Sequence, residues 1–150
     1  MKIQRESDHY RVYLAKGEKA LLWDLLNLYP CVQGVSTAGR AQGGSPENTD
    51  LLEEALSEQR AEAKKQLKKF LADEGRFESS EEGWRFLLSN SEMEWLLQIL
   101  NDVRVGSWIQ LGAPEEKLQL ARLDENTAPH FWAMEMAGHF EMQILLALSK

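Results

Sequence analysis

The sequence predicts a mainly α-helical domain of about five helices, arranged as a bundle or an orthogonal array, with a small β-hairpin at its N-terminus. Three observations support this fold class. Apolar residues recur at helical spacing in several long segments, and capping residues and prolines stand where those segments begin. The 150 residues suffice to bury one continuous core. We therefore expect residues 1–150 to form a single helical domain.

Residues 1–15 predict the β-hairpin. Two segments of β-type residues, KIQR and YRVYL, flank the turn-like sequence ESDH. Tyr10, Val12 and Leu14 alternate with Arg11 and a second tyrosine, which predicts one buried face. Because a lone hairpin is only marginally stable in water, we expect it to pack against the helices.

The helices are bounded by capping patterns and by proline and glycine stops. These signals predict helices over Gly17–Tyr29, from Ser45 to about Gly75, Ser79–Leu88, Ser91–Gly112 and Ala128–Leu148. In two of them a serine is followed three residues later by glutamate, a capping box: Ser79 with Glu82 and Ser91 with Glu94. Residues 32–44, rich in glycine and small polar residues, predict a flexible loop. Pro114–Leu123 has the composition of a further brief helix.

Charge and composition exclude several classes of protein. The formal net charge is −7, with 24 acidic against 17 basic side chains. This balance argues against nucleic-acid binding and against attachment to anionic membranes. The start of the sequence lacks a signal-peptide core, and no run of about 18 apolar residues could span a bilayer. Cys31 is the single cysteine, which rules out a disulfide within the chain. We expect a cytoplasmic protein.

The segment Ser91–Gly112 is apolar around most of its circumference and should lie at the centre of the domain. Arg104 falls inside its apolar arc, where a charge must be paired or used. The guanidinium could stack on Trp108, pair with a carboxylate from another element, or bind an anion in a pocket. Asn101 and Asp102 fit either surface bracing or a binding role. These two residues and Arg104 are the candidate contacts for a ligand or partner.

The sequence contains no recognisable catalytic, cofactor or metal motif. Residues 32–44 lack the Gly-Lys-Ser/Thr ending of a phosphate-binding loop. Glu135 and His139 are four residues apart, but the chain has only three histidines and no His-Glu-x-x-His pair. Cys31 has no histidine nearby in sequence. We therefore expect no catalytic residues, no cofactor and no metal, which favours a protein that is not an enzyme.

Two stretches, LLEEALSEQRAEAKKQLKKFL and EWLLQILNDVRVGSWIQLG, with the closing apolar helix, resemble a family of small helical bacterial proteins of unknown function. Actinobacterial members of that family are often encoded near the adaptor of the Clp protease. The most specific match is Leu100–Gly112, and the resemblance covers residues 45–148. It implies that Asn101, Asp102 and Arg104 are the positions to examine. It implies no activity, because none is established for the family.

These observations lead to one main hypothesis and two alternatives. The main hypothesis is a non-enzymatic protein-interaction or regulatory domain, whose partner is another protein or a second copy in a homodimer. The first alternative is a protein, with or without enzymatic activity, that binds a small ligand or anion around Arg104. The second is an acidic immunity-type inhibitor that masks a basic toxin, which only the net charge supports.

Overall fold

A computed structural model describes residues 1–31, 46–115 and 124–150. The predicted loop at residues 32–44 and most of the brief helix predicted over Pro114–Leu123 lie outside these ranges. The described part is mainly helical and also contains a four-stranded antiparallel sheet. The elements are β1 (Lys2–Glu6), β2 (His9–Ala15), α1 (Lys16–Asn27), α2 (Pro46–Ala72), a 3-10 turn (Glu74–Arg76), β3 (Glu78–Ser79), β4 (Gly83–Ser89), α3 (Asn90–Gln110) and α4 (Ala128–Leu148).

The predicted hairpin is present as β1 and β2, and it forms one edge of a larger sheet. The strand order is β1-β2-β4-β3. Glu6 faces His9 at the two-residue turn, and Val12 of β2 pairs with Phe86 of β4. One face of β2 and β4 is buried under the helices, and the described helices therefore form a layer on a sheet. The buried side chains of this face are Tyr10, Val12, Leu14, Phe86 and Leu88.

The prediction of a helix over Ser79–Leu88 is wrong, since this segment forms β3 and β4. Its serines and glutamates form the turn between the two strands, where the Ser80 N–H donates to the Gly83 carbonyl at 2.8 Å. Alternate side chains of β4 are then buried or exposed, as a strand on a core requires. Pairing with β2 over seven residues decides the conformation, and a local capping pattern cannot reveal that partner.

Helix α3 lies at the centre of the core, as its apolar arc predicts. Met93, Ile99 and Val103 are fully buried along it. The predicted cap at Ser91 is wrong, because β4 continues to Ser89 and the helix begins directly after it. The Ser89 hydroxyl accepts from the Glu92 N–H at 3.1 Å, and the Glu92 carboxylate accepts from the Ser89 N–H at 3.0 Å. This reciprocal capping box fixes the start of α3.

Among the described side chains of α2, those that join the core lie in its C-terminal part. Leu67 and Phe70 are buried, and Phe70 belongs to an aromatic cluster in which ring centroids lie 5.1–6.2 Å apart in tilted or edge-to-face contacts. Near the other end of α2, Leu51 and Leu52 are 64% and 59% exposed. The first half of the helix therefore projects from the folded body.

Helix α4 begins and ends where the sequence predicts. Thr127 stands at its N-cap but makes no capping bond, because its hydroxyl bonds Asp124 instead. One face of α4 is buried, whereas several large apolar side chains on the rest of the helix are more than half exposed: Trp132, Met142, Leu145 and Leu146. Among the described residues, no helix has the length and apolar character needed to cross a membrane.

Candidate functional site

A groove of about 340 Å³ runs between the middle of α2 and the middle of α3, and we call it the α2–α3 groove. Tyr29, just beyond α1, contributes to its lining. The α2 wall consists of Leu56, Gln59, Arg60 and Ala63, and the α3 wall of Trp95, Gln98, Ile99, Asn101, Asp102 and Val105. Two of the three predicted site residues, Asn101 and Asp102, therefore share one groove. Arg104 is not among the lining residues.

Asp102 holds the chain segment that follows α1. Its Oδ1 accepts from the backbone N–H of Cys31 at 2.7 Å. One helical turn further on, Gly106 is buried directly against Cys31, and any Cβ at this position would overlap with that residue. The carboxylate and the missing side chain together let the segment lie flat on α3. Asp102 thus has a structural contact at one end of the groove.

Arg104 faces α4, on a different side of α3 from the groove. Its Nε donates to Glu141 Oε1 at 3.0 Å, and its Nη2 donates to Asn101 Oδ1 at 2.8 Å. The Glu141 side chain is only 12% exposed, whereas that of Arg104 is 44% exposed. The guanidinium therefore meets a nearly buried carboxylate from another helix. Trp108, the other predicted contact, donates its indole N–H to the Pro114 carbonyl.

Burial and nearby charges shift the pKa values of two groups at or beside the groove. Burial raises the pKa of the Cys31 thiol to about 11, and the nearby Asp102 carboxylate adds to this effect. The thiol is therefore protonated at neutral pH and is a poor nucleophile. Burial also raises the pKa of Tyr29, again with a contribution from Asp102, while Arg60 acts in the opposite direction. No group of three metal-ligating side chains converges within residues 1–31, 46–115 and 124–150.

The sequence did not point to the α2 wall of the groove. Arg60 is half-buried there, and the Asp102 carboxylate lines the same groove from α3. Lys64 donates from Nζ to the Tyr29 carbonyl at 2.8 Å and so ties α2 to the end of α1. The apolar stripe of α2 was visible in the sequence. The sequence could not show that part of α2 would face an open groove, because this depends on how far α2 extends beyond α3.

Comparisons with protein-family models, with curated proteins and with solved structures find no match to this chain. The resemblance of Leu100–Gly112 to a family of small helical bacterial proteins therefore stays a prediction.

Replacing Arg104 with methionine should lower the free energy of unfolding by about 2 kcal/mol at pH 7, because it leaves the Glu141 carboxylate buried without its partner. Burial raises the pKa of Glu141, and Arg104 partly opposes this rise. Glu141 therefore binds its proton more tightly in the folded protein than in the unfolded chain. The free energy of unfolding falls as the pH rises from the unfolded-state pKa of Glu141 through its higher folded-state pKa. Without Arg104 the pKa rises further, and the loss should be larger at pH 7 than near pH 4.

Chemical denaturation of Arg104→Met at several pH values measures this effect. Arg85→Met is the matched control, since Arg85 pairs with Glu78 on the surface and both side chains are substantially exposed. We expect the control to lose much less stability, with no comparable pH dependence. An Arg104→Met variant as stable as the parent at all pH values would show that the pair does not brace α3 against α4.

Proposed function

We propose that this chain is a non-enzymatic protein-interaction domain that receives an apolar segment of a partner protein in the α2–α3 groove. The observation that carries the proposal is the apolar stripe of α2. Its end is buried at Leu67 and Phe70, and it continues through the half-buried Leu56 to the exposed Leu52. A continuous stripe that leaves the core presents the kind of surface that partner helices cover.

The lining of the groove fits this role. Leu56, Ile99 and Val105 offer an apolar floor, while Gln98 and Asn101 offer amide groups at exposed positions. Protein interfaces commonly combine an apolar centre with a polar rim. A volume of about 340 Å³ suits a few side chains of a partner inserted between two helices. An acidic inhibitor of a basic toxin would be one form of such an interaction, consistent with the net charge of −7.

A second candidate function, binding of a small anion, has one observation in its favour. Arg60 lines the groove, and its positive charge acts on the Tyr29 phenol there, lowering the pKa that burial raises. The amide side chains of Gln59 and Gln98 lie on the two facing walls and could donate to the same anion. This candidate is centred on Arg60, since the Arg104 guanidinium is engaged by Glu141 and Asn101.

Site-specific photo-cross-linking tests the interaction in the cells that make this chain. A photoreactive amino acid in place of Leu56 should capture one defined protein. The same amino acid in place of Ala61, on the opposite and exposed face of α2, should not capture it. The purified partner should then bind the parent chain at least roughly tenfold more tightly than the Leu56→Glu variant.

Two results would contradict the interaction proposal. One is equal capture of the same protein from positions 56 and 61, which would show that the groove does not select it. The other is the absence of any capture together with a rise of Tm in phosphate that Arg60→Gln abolishes. That second result would favour the anion-binding candidate.

A further inference from the structure

Strand β1 has an open edge with backbone groups available for pairing. It is the outer strand of the order β1-β2-β4-β3, and no described strand lies beyond it. Glu6 and His9 close a two-residue hairpin turn, so their backbone groups face each other. Hydrogen-bonding direction alternates along an antiparallel strand. The N–H and C=O groups of Ile3 and Arg5 therefore point away from β2, towards the open edge.

The side chains of β1 are complementary to a second, antiparallel copy of the same strand. A twofold axis at Gln4 places Ile3 of each copy opposite Arg5 of the other. The outward-pointing N–H and C=O groups of these four residues then form two hydrogen-bonded pairs. In that register Lys2 lies opposite Glu6 of the second copy, on the solvent face of the sheet, and joins the ion pair that Glu6 already makes with Arg11 of its own chain at 2.9 Å. Opposite charges directly across two strands stabilise pairing, and this arrangement contains the pair twice. A register centred on Arg5 would instead place two arginines opposite each other.

Helix α4 adds apolar surface next to the same edge. It packs against β1, and Arg5 Nη1 donates to the carbonyl of Lys150, just beyond the end of the helix, at 3.0 Å. Glu141 marks the side of α4 that faces α3. Met142 and Leu146 lie about 100° and 140° around the helix from it. Both point away from α3, and they are 62% and 53% exposed.

We infer that two copies of this chain form a twofold dimer through the β1 edges, with their α4 helices side by side on the same face of the joined sheet. The pairing makes one continuous eight-stranded sheet from two four-stranded ones. It covers Met142 and Leu146 of both copies, which the single chain leaves in water. The surface is separate from the α2–α3 groove, so the inference does not depend on the proposed function.

Light scattering and hydrogen exchange on the full chain test the dimer. We expect a mass twice the 17.2 kDa of the chain at high protein concentration and dissociation on dilution. The amides of Ile3 and Arg5 should be protected from exchange at high concentration and lose that protection in parallel with the mass. An edge that stays unpaired exchanges rapidly at all concentrations, so this readout reports on the proposed surface directly.

Two matched pairs of variants locate the interface. Lys2→Glu places like charges across the proposed strand pair and should weaken dimerisation roughly tenfold. Lys16→Glu makes the same charge change at an exposed residue of α1 and should leave it unchanged. Leu146→Lys should weaken the dimer by a similar or larger factor. Leu51→Lys, on the projecting half of α2, should not. Circular dichroism confirms that each variant is folded.

A chain that is monomeric at every accessible concentration would overturn the inference. So would a dimer that Lys2→Glu and Leu146→Lys leave intact while both variants remain folded, because it would use another surface. A dimer that Leu51→Lys dissolves would place the contact on α2 and would equally contradict pairing through β1.

Discussion

Replacing Gly83 with alanine should lower the free energy of unfolding by about 3 kcal/mol or more and Tm by roughly 10 °C. Gly83 has φ +152°, a conformation that residues with a side chain rarely adopt. It pairs with Ala15 of β2. A Cβ on Gly83 would overlap with the carbonyl oxygen of Leu14 and lie 3.0 Å from the Ala15 Cα. Because these are backbone atoms of a buried strand, relief requires β2 and β4 to separate.

Thermal and urea unfolding measure this loss, with Gly138→Ala as the matched control. Gly138 lies within α4, and a Cβ there meets only Arg104 Cδ, at an ordinary distance of 3.6 Å. Alanine at that position should be neutral or should stabilise the helix by about 0.5–1 kcal/mol. If Gly83→Ala and Gly138→Ala had the same effect, the close contact between β2 and β4 would not exist in solution.

Replacing Gly106 with alanine should cost about 2–4 kcal/mol and should also release the segment after α1 from α3. The added Cβ would overlap with the Cys31 Cβ and lie 2.7 Å and 2.9 Å from its carbonyl carbon and oxygen. Cys31 must then move away from α3. That movement breaks the 2.7 Å bond from its N–H to Asp102, so the end of the α2–α3 groove should open.

Two measurements separate local release from general destabilisation. The amide of Cys31 should exchange faster in Gly106→Ala than in the parent, and the thiol should react faster with an alkylating reagent at the same pH. Asp102→Asn should accelerate exchange at the same amide without introducing a clash. If thiol reactivity and amide exchange were unchanged in a destabilised Gly106→Ala protein, the Cys31 segment would not be the group that the new methyl displaces.

Features of the fold that depend on neighbours in sequence could be predicted, and those that depend on distant pairing could not. The first hairpin follows from alternation and a turn composition, and α4 follows from a long apolar pattern after a Thr-Ala-Pro start. The segment Ser79–Leu88 contains a capping pattern and a short apolar run, which fit either a helix or a strand. The decisive contact is with β2, which is remote in sequence.

The candidate site shows the same division. The position of Arg104 within an apolar arc could be calculated from helical geometry, but its side chain is 44% exposed in the structure. Its partner could not be identified, because Glu141 lies on a helix whose packing angle the sequence does not specify. The role of Gly106 could not be predicted either. A single glycine within a helix looks the same in the sequence whether or not another segment, here Cys31, packs against it.

The central place of β4 in the sheet has a consequence for the order in which the chain can assemble during synthesis. Strand β2 lies between β1 and β4, but β4 leaves the ribosome only after α1 and α2 have been made. Until then β1 and β2 are an isolated hairpin, which is only marginally stable. The apolar face of the β1–β2 hairpin therefore stays uncovered until β4 has been synthesised. Non-local pairing of this kind slows folding, and exposed strands favour aggregation.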